Sequence, residues 1–93
     1  MTDYNEDDDY RPKTVKEAVN RYLDICDSSN LEILIESPKT YMEFLCSNLE
    51  KEVIEICEII NNLSLLGSCG SANMPVEEAA HIIIKAIWED LHK

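Results

Sequence analysis

Four cysteines, two histidines and a run of glutamates are the residues whose types could do chemistry in this chain of 93 residues. Cys26, Cys46, Cys57 and Cys69 stand 20, 11 and 12 residues apart, with no Cys-x-x-Cys among them. Zinc sites draw their ligands from close pairs, so the spacing predicts free thiols and no metal site. His81 and His92 lie three helical turns apart with Lys85 and Trp88 between them. At 1.5 Å per residue they are ~16 Å from each other, too far to share one ion. The stretch Gly67 to Asn73 could be taken for a phosphate cradle, but it lacks the G-x-x-x-x-G-K-[ST] pattern and any nearby Lys or Arg. Glu77 and Glu78 after it would repel an anion, so a plain connector and no cofactor are expected. Cys69 in that stretch is the thiol expected to be most exposed. A nucleophilic cysteine needs a base in reach and a lowered pKa, which acidic surroundings oppose. Glu50, Glu52, Glu55 and Glu58, with Lys51 as the nearby base, supply carboxylates for acid-base work only if a cleft raises one of them. A solvated face or an electrostatic docking surface is expected instead, and no enzyme.

The charge balance narrows the partners. Nineteen Asp and Glu against eight Lys and Arg give a net charge of -11. Such a surface is repelled by phosphate, which excludes direct binding to nucleic acid or to an anionic membrane and favours basic protein surfaces. Asp3, Glu6, Asp7, Asp8 and Asp9 fall in the first ten residues with no base among them. Residues 1–12 therefore read as a disordered acidic arm, and 13–93 as a single helical domain, still at about -6 once those five charges are removed from -11. The N-terminus lacks the order of a signal peptide and no apolar run approaches the ~20 residues of a membrane span. A cytosolic location is the expectation.

The elements that must position these residues are all helical. From Lys13 to Asp27, a wheel at 100° per residue gathers Val15, Ala18, Val19, Tyr22, Leu23, Ile25 and Cys26 in one arc, with Thr14 and Glu17 at capping-box spacing. Leu31 to Glu36 alternates like a strand but has no partner strand, so a short helix capped at Ser29 is preferred. Pro38, Thr40 and Glu43 signal the start of a long helix whose apolar face runs from Tyr41 to Leu63, including Ile59 and Ile60. That breadth makes it the expected centre of the bundle. Gly67 to Pro75 reads as the one long loop, and Pro75 opens a last helix to about Leu91 with Val76, Ala79, Ala80, Ile83, Ile84, Ile87 and Leu91 inward. The fold class is all-α, a small bundle of three to four helices.

Some apolar residues stand outside these arcs. Phe44 and Ile54 fall among Glu43, Ser47, Glu50, Lys51, Glu55 and Glu58, Ile82 lies off the main arc of the last helix, and Trp88 lies beside Lys85. Glu43, Phe44, Glu50, Ile54, Glu55, Glu58 and Trp88 are therefore the candidate partner-binding residues. The reading is a small acidic interaction module, an inhibitor or adaptor that occupies a basic surface of a larger protein. Phage- and plasmid-type antagonists of host machinery share its size, charge and helicity. A nucleic-acid-binding protein is the sharper choice of partner, with Glu43, Glu50, Glu55, Glu58 and the Asp7 to Asp9 arm imitating phosphates. The alternative is a self-assembling homodimer built on the long helix.

Overall fold

A computed structural model describes residues 11–93, and the expected arm falls outside them except for Arg11 and Pro12. The chain forms α1 (Val15–Ile25), α2 (Ser28–Glu36), a 3-10 turn (Lys39–Tyr41), α3 (Met42–Ile56), α4 (Leu63–Cys69) and α5 (Val76–Leu91), with no strand among the described residues. The class is all-α, and the described residues form five helices rather than three or four.

The first helix begins as its sequence demands. Thr14 Oγ1 accepts from Glu17 N–H at 3.1 Å, and Glu17 Oε1 accepts from Lys13 N–H at 2.8 Å. The first satisfies a backbone donor that the helix start leaves without a partner, and the second ties down the residue just before the cap. The segment 31–36 belongs to a helix that starts earlier, at Ser28, with Asp27 at its N-cap and no capping bond from a side chain. The signals at Pro38 and Thr40 produce the 3-10 turn, and α3 itself begins at Met42.

The long helix is shorter than its apolar pattern predicts. It stops at Ile56 because Glu58 (φ 50) and Asn61 (φ 61) both turn into the left-handed region. Glu58 N–H donates to Glu55 O and Ile59 N–H to Ile54 O, the paired bonds of a Schellman ending. Asn62 then starts α4: its Oδ1 accepts from Leu65 N–H at 3.2 Å while its Nδ2 donates to Pro12 O at 2.7 Å. This reversal leaves Ile60 and Leu63 exposed, although the unbroken wheel places them inward; Ile59 remains buried. The expected long loop shrinks for the same reason. Gly67, Ser68 and Cys69 belong to α4, and the turn begins at Gly70, whose φ of 148° suits glycine and where a Cβ would press on Met74.

The centre of the bundle is α5, not α3. All four other helices pack on α5, most extensively α3. Its Ala79 and Ala80 let neighbours approach closely, and Ile83, Ile84 and Ile87 are fully buried. Around them lie Ala18 and Tyr22 of α1, Leu34 of α2, Leu45, Leu49 and Val53 of α3, and Leu65 and Leu66 of α4. α2 contributes only Leu34 to this core, because its apolar residues do not share one face.

Asn62 is the hinge of the chain reversal, so its two bonds can be separated by mutation. Asn62→Ala is expected to cost about 2 kcal/mol, through loss of the cap and of a donor for the Pro12 carbonyl. Asn62→Ser, which keeps only the cap, should recover part of that. Urea unfolding followed by circular dichroism reads both.

Candidate interaction surface

The carboxylates of α3 do not form one uniform acidic face, because the 3.6-residue period sends them to different neighbours. Glu50 Oε1 lies 2.6 Å from Nε2 of His81 on α5. Glu52 turns toward α1 and α2, where its Oε1 accepts from Tyr22 Oη at 2.8 Å and its two oxygens accept from Asn30 Nδ2 at 2.9 and 3.0 Å. Burial, then the bond to Glu52, pushes the Tyr22 phenol above the usual tyrosine range.

Glu58 closes the end of α3. Its Oε2 is 3.0 Å from Arg21 Nη2, and its Oε1 is 3.8 Å from Arg11 Nε. Arg21 Nε donates to Ile56 O at 2.6 Å and Arg11 Nη2 to Ile60 O at 2.9 Å. Arg21 thus serves a carbonyl oxygen that the helix end leaves open, where a cation is also favoured by the helix dipole, and Arg11 serves the reversal that follows. Of the candidate acids, Glu43 and Glu55 remain exposed.

The apolar candidates separate as well. Phe44 is 61% exposed and meets Tyr41, 55% exposed, edge to face with ring centroids 6.4 Å apart. Ile54 is half-buried against the core, and Ile82 on α5 is half-buried as well. Trp88 is half-buried too: its Nε1 donates to Ser37 O at 2.8 Å and its ring stacks on His92 at 4.0 Å. His92 Nε2 lies 2.8 Å from Ile35 O, so Trp88 and His92 together hold the C-terminal end of α2 to α5.

Because α2 packs on α5 rather than α3, an open trough of about 790 Å³ remains between α2 and α3. Ile33 of α2, 45% exposed, lines it opposite Phe44, Leu45 and Leu49 of α3, with Asn48, Lys51, Glu52 and Glu55 continuing along α3. Phe44 also borders a smaller notch with Thr40, Tyr41 and Glu43. The structure therefore brings Phe44 together with Glu55 along one trough and with Glu43 beside the other. It directs Glu50 toward α5, Glu58 toward the arginines and Trp88 toward α2.

Beside Ile60 and Leu63, the wheel conceals the exposure of Tyr41 and Ile33, and of Ile25, which it places in the inward arc of α1. Tyr41 sits in the 3-10 turn, before the wheel applies. Ile33 stands in Leu31-Glu-Ile-Leu-Ile, whose apolar positions cannot all face inward from a helix. That spread was the available signal.

Burial raises all four thiols, and Cys57 reaches about 12. At neutral pH they are protonated, which makes them weak nucleophiles. No group of three or more His, Cys, Asp or Glu among the described residues could hold a metal ion, and no described helix is long and apolar enough to cross a membrane.

Two outcomes follow from these contacts. Arg21→Met should cost about 2 kcal/mol in urea unfolding, because it removes charge-assisted bonds to Glu58 and to the Ile56 carbonyl. The Cys57 thiol is neutral when protonated, and the fold holds that proton more tightly than the unfolded chain does. Its contribution is complete below the ordinary value of 9.0 and is lost as pH rises from there toward about 12. Thermal unfolding should therefore move to lower temperature across that window, and less so in Cys57→Ala. Comparison of the chain with protein-family models, curated proteins and solved structures finds no match.

Proposed function

We propose that this chain is a small acidic interaction module that works by occupying a basic surface of a larger protein, as an inhibitor or adaptor, in the cytosol. The observation that carries this reading is the exposed Tyr41–Phe44 pair between two concavities, with Glu43 exposed beside it and Glu55 exposed at the far end of the larger one. Aromatic side chains supply large contact area at small entropic cost and are favoured as binding anchors. Carboxylates around them steer a basic partner into place and reject acidic ones. A phosphate-like row needs several uncommitted carboxylates in register. The internal bonds of Glu52 and Glu58, and the His81 contact of Glu50, favour aromatic docking over that form of mimicry.

The test compares capture from nuclease-treated lysate by the wild type and by Tyr41→Ala and Phe44→Ala, washed at graded salt and read by mass spectrometry. The reading predicts a basic protein that both variants lose by about tenfold or more, with retention falling as salt rises. Retention indifferent to both variants contradicts it. A mass near twice 10.7 kDa in light scattering, reduced to the monomer by Phe44→Ala, would favour the homodimer instead.

A further inference from the structure

We infer that the trough between α2 and α3 receives an amphipathic basic helix about three turns long from the partner; this rests on the docking reading above and names its ligand class. The trough has the length of such a segment. Its α3 wall runs from Phe44 to Glu55, eleven residues or ~16 Å along the helix axis. A compact small molecule would leave much of that length empty.

A helix suits the walls better than an extended peptide does. Both walls are helices, whose backbone groups are already paired along their length, so neither offers a strand edge. An extended segment would bring unpaired N–H and C=O groups against Ile33, Phe44, Leu45 and Leu49. A helix satisfies its own backbone and presents apolar side chains at i, i+4 and i+7.

Charge selects the sign of the occupant. Polarity changes along the α3 wall of the trough, from Phe44 and Leu45 at one end to Glu52 and Glu55 at the other; Tyr22 and Asn30 take up the Glu52 carboxylate, which leaves Glu55 as the exposed acid, with Lys51 as the one basic lining residue. α2 carries no Lys or Arg. A second copy would bring another net charge of -11, and the segment containing Asp3, Glu6 and Asp7 to Asp9 would set carboxylates against carboxylates. The complementary ligand has an apolar stripe and lysines or arginines toward the Glu55 end.

Fluorescence anisotropy of labelled peptides against the full chain tests this. The probes are a Leu/Lys striped peptide about three turns long, a scramble of the same composition and a striped peptide with Glu for Lys. All carry a lactam bridge, since isolated helices of this length are marginal. The expected result is binding of the striped basic peptide at least about tenfold tighter than the scramble, weakened about tenfold by Ile33→Ala or Phe44→Ala. Glu55→Lys should weaken it and flatten its salt dependence, while the acidic peptide fails to bind. Equal binding of the scramble, indifference to the trough substitutions, or no binding of the striped peptide overturns the inference. Circular dichroism establishes that each variant is folded. If lysate capture still depends on Tyr41 and Phe44 while the striped peptide fails, the trough assignment falls and the docking reading stands.

Discussion

Glu52 stands on α3 and accepts hydrogen bonds from Tyr22 of α1 and Asn30 of α2, so three helices meet at one half-buried carboxylate. A charge withdrawn from water is tolerated when donors surround it, and here the donors come from two other elements. That arrangement fixes the N-terminal part of α2 relative to α3. The opposite end of α2 is held on α5 by Trp88 and His92, and Leu34 anchors its middle. Held in this way, α2 packs on α5 and meets α3 at Glu52, and the trough is the space between α2 and α3.

A second constraint sets where α3 ends. Glu58 occupies a left-handed backbone position that usually falls to glycine or asparagine, at a cost of roughly 1 kcal/mol or more. A glycine there could not reach Arg11 and Arg21. The carboxylate places Arg21 over the Ile56 carbonyl at the end of α3 and Arg11 over the Glu58 and Ile60 carbonyls of the reversal that follows, and Pro12 is tied to Asn62 beside them. The N-terminal segment of the described chain thereby closes the end of the helix that carries the proposed docking residues.

Periodicity made the helical class, the amphipathic α1 and the inward face of α5 legible, because each has one continuous apolar arc. It also singled out Phe44 and Glu55, whose exposure needs only the local helix. The break after Ile56 was less visible. Ile59, Ile60 and Leu63 continue the helical pattern in projection, and the reversal depends on a left-handed Glu58 and on Asn62 reaching Pro12, fifty residues away. Asn61-Asn62 was the local trace of it, since asparagine tolerates the left-handed region and caps helices. The internal pairing of Glu50, Glu52 and Glu58 was hidden for a related reason: a charge run shows how many carboxylates there are, but tertiary packing decides which of them face solvent. Gly67 illustrates the converse, a glycine accommodated inside α4 while Gly70 makes the turn.

Together these constraints describe a core organised on α5 that leaves a concave, partly apolar trough with exposed Glu55 on its wall. Hydrogen-deuterium exchange of the full chain, with and without its captured partner, tests that account most directly. The account predicts slowed exchange confined to residues 28–36 and 41–55, with α4 and the outward face of α1 unchanged. Protection centred on Ile60 and Leu63, or on α1, with residues 28–36 and 41–55 unaffected, would contradict it.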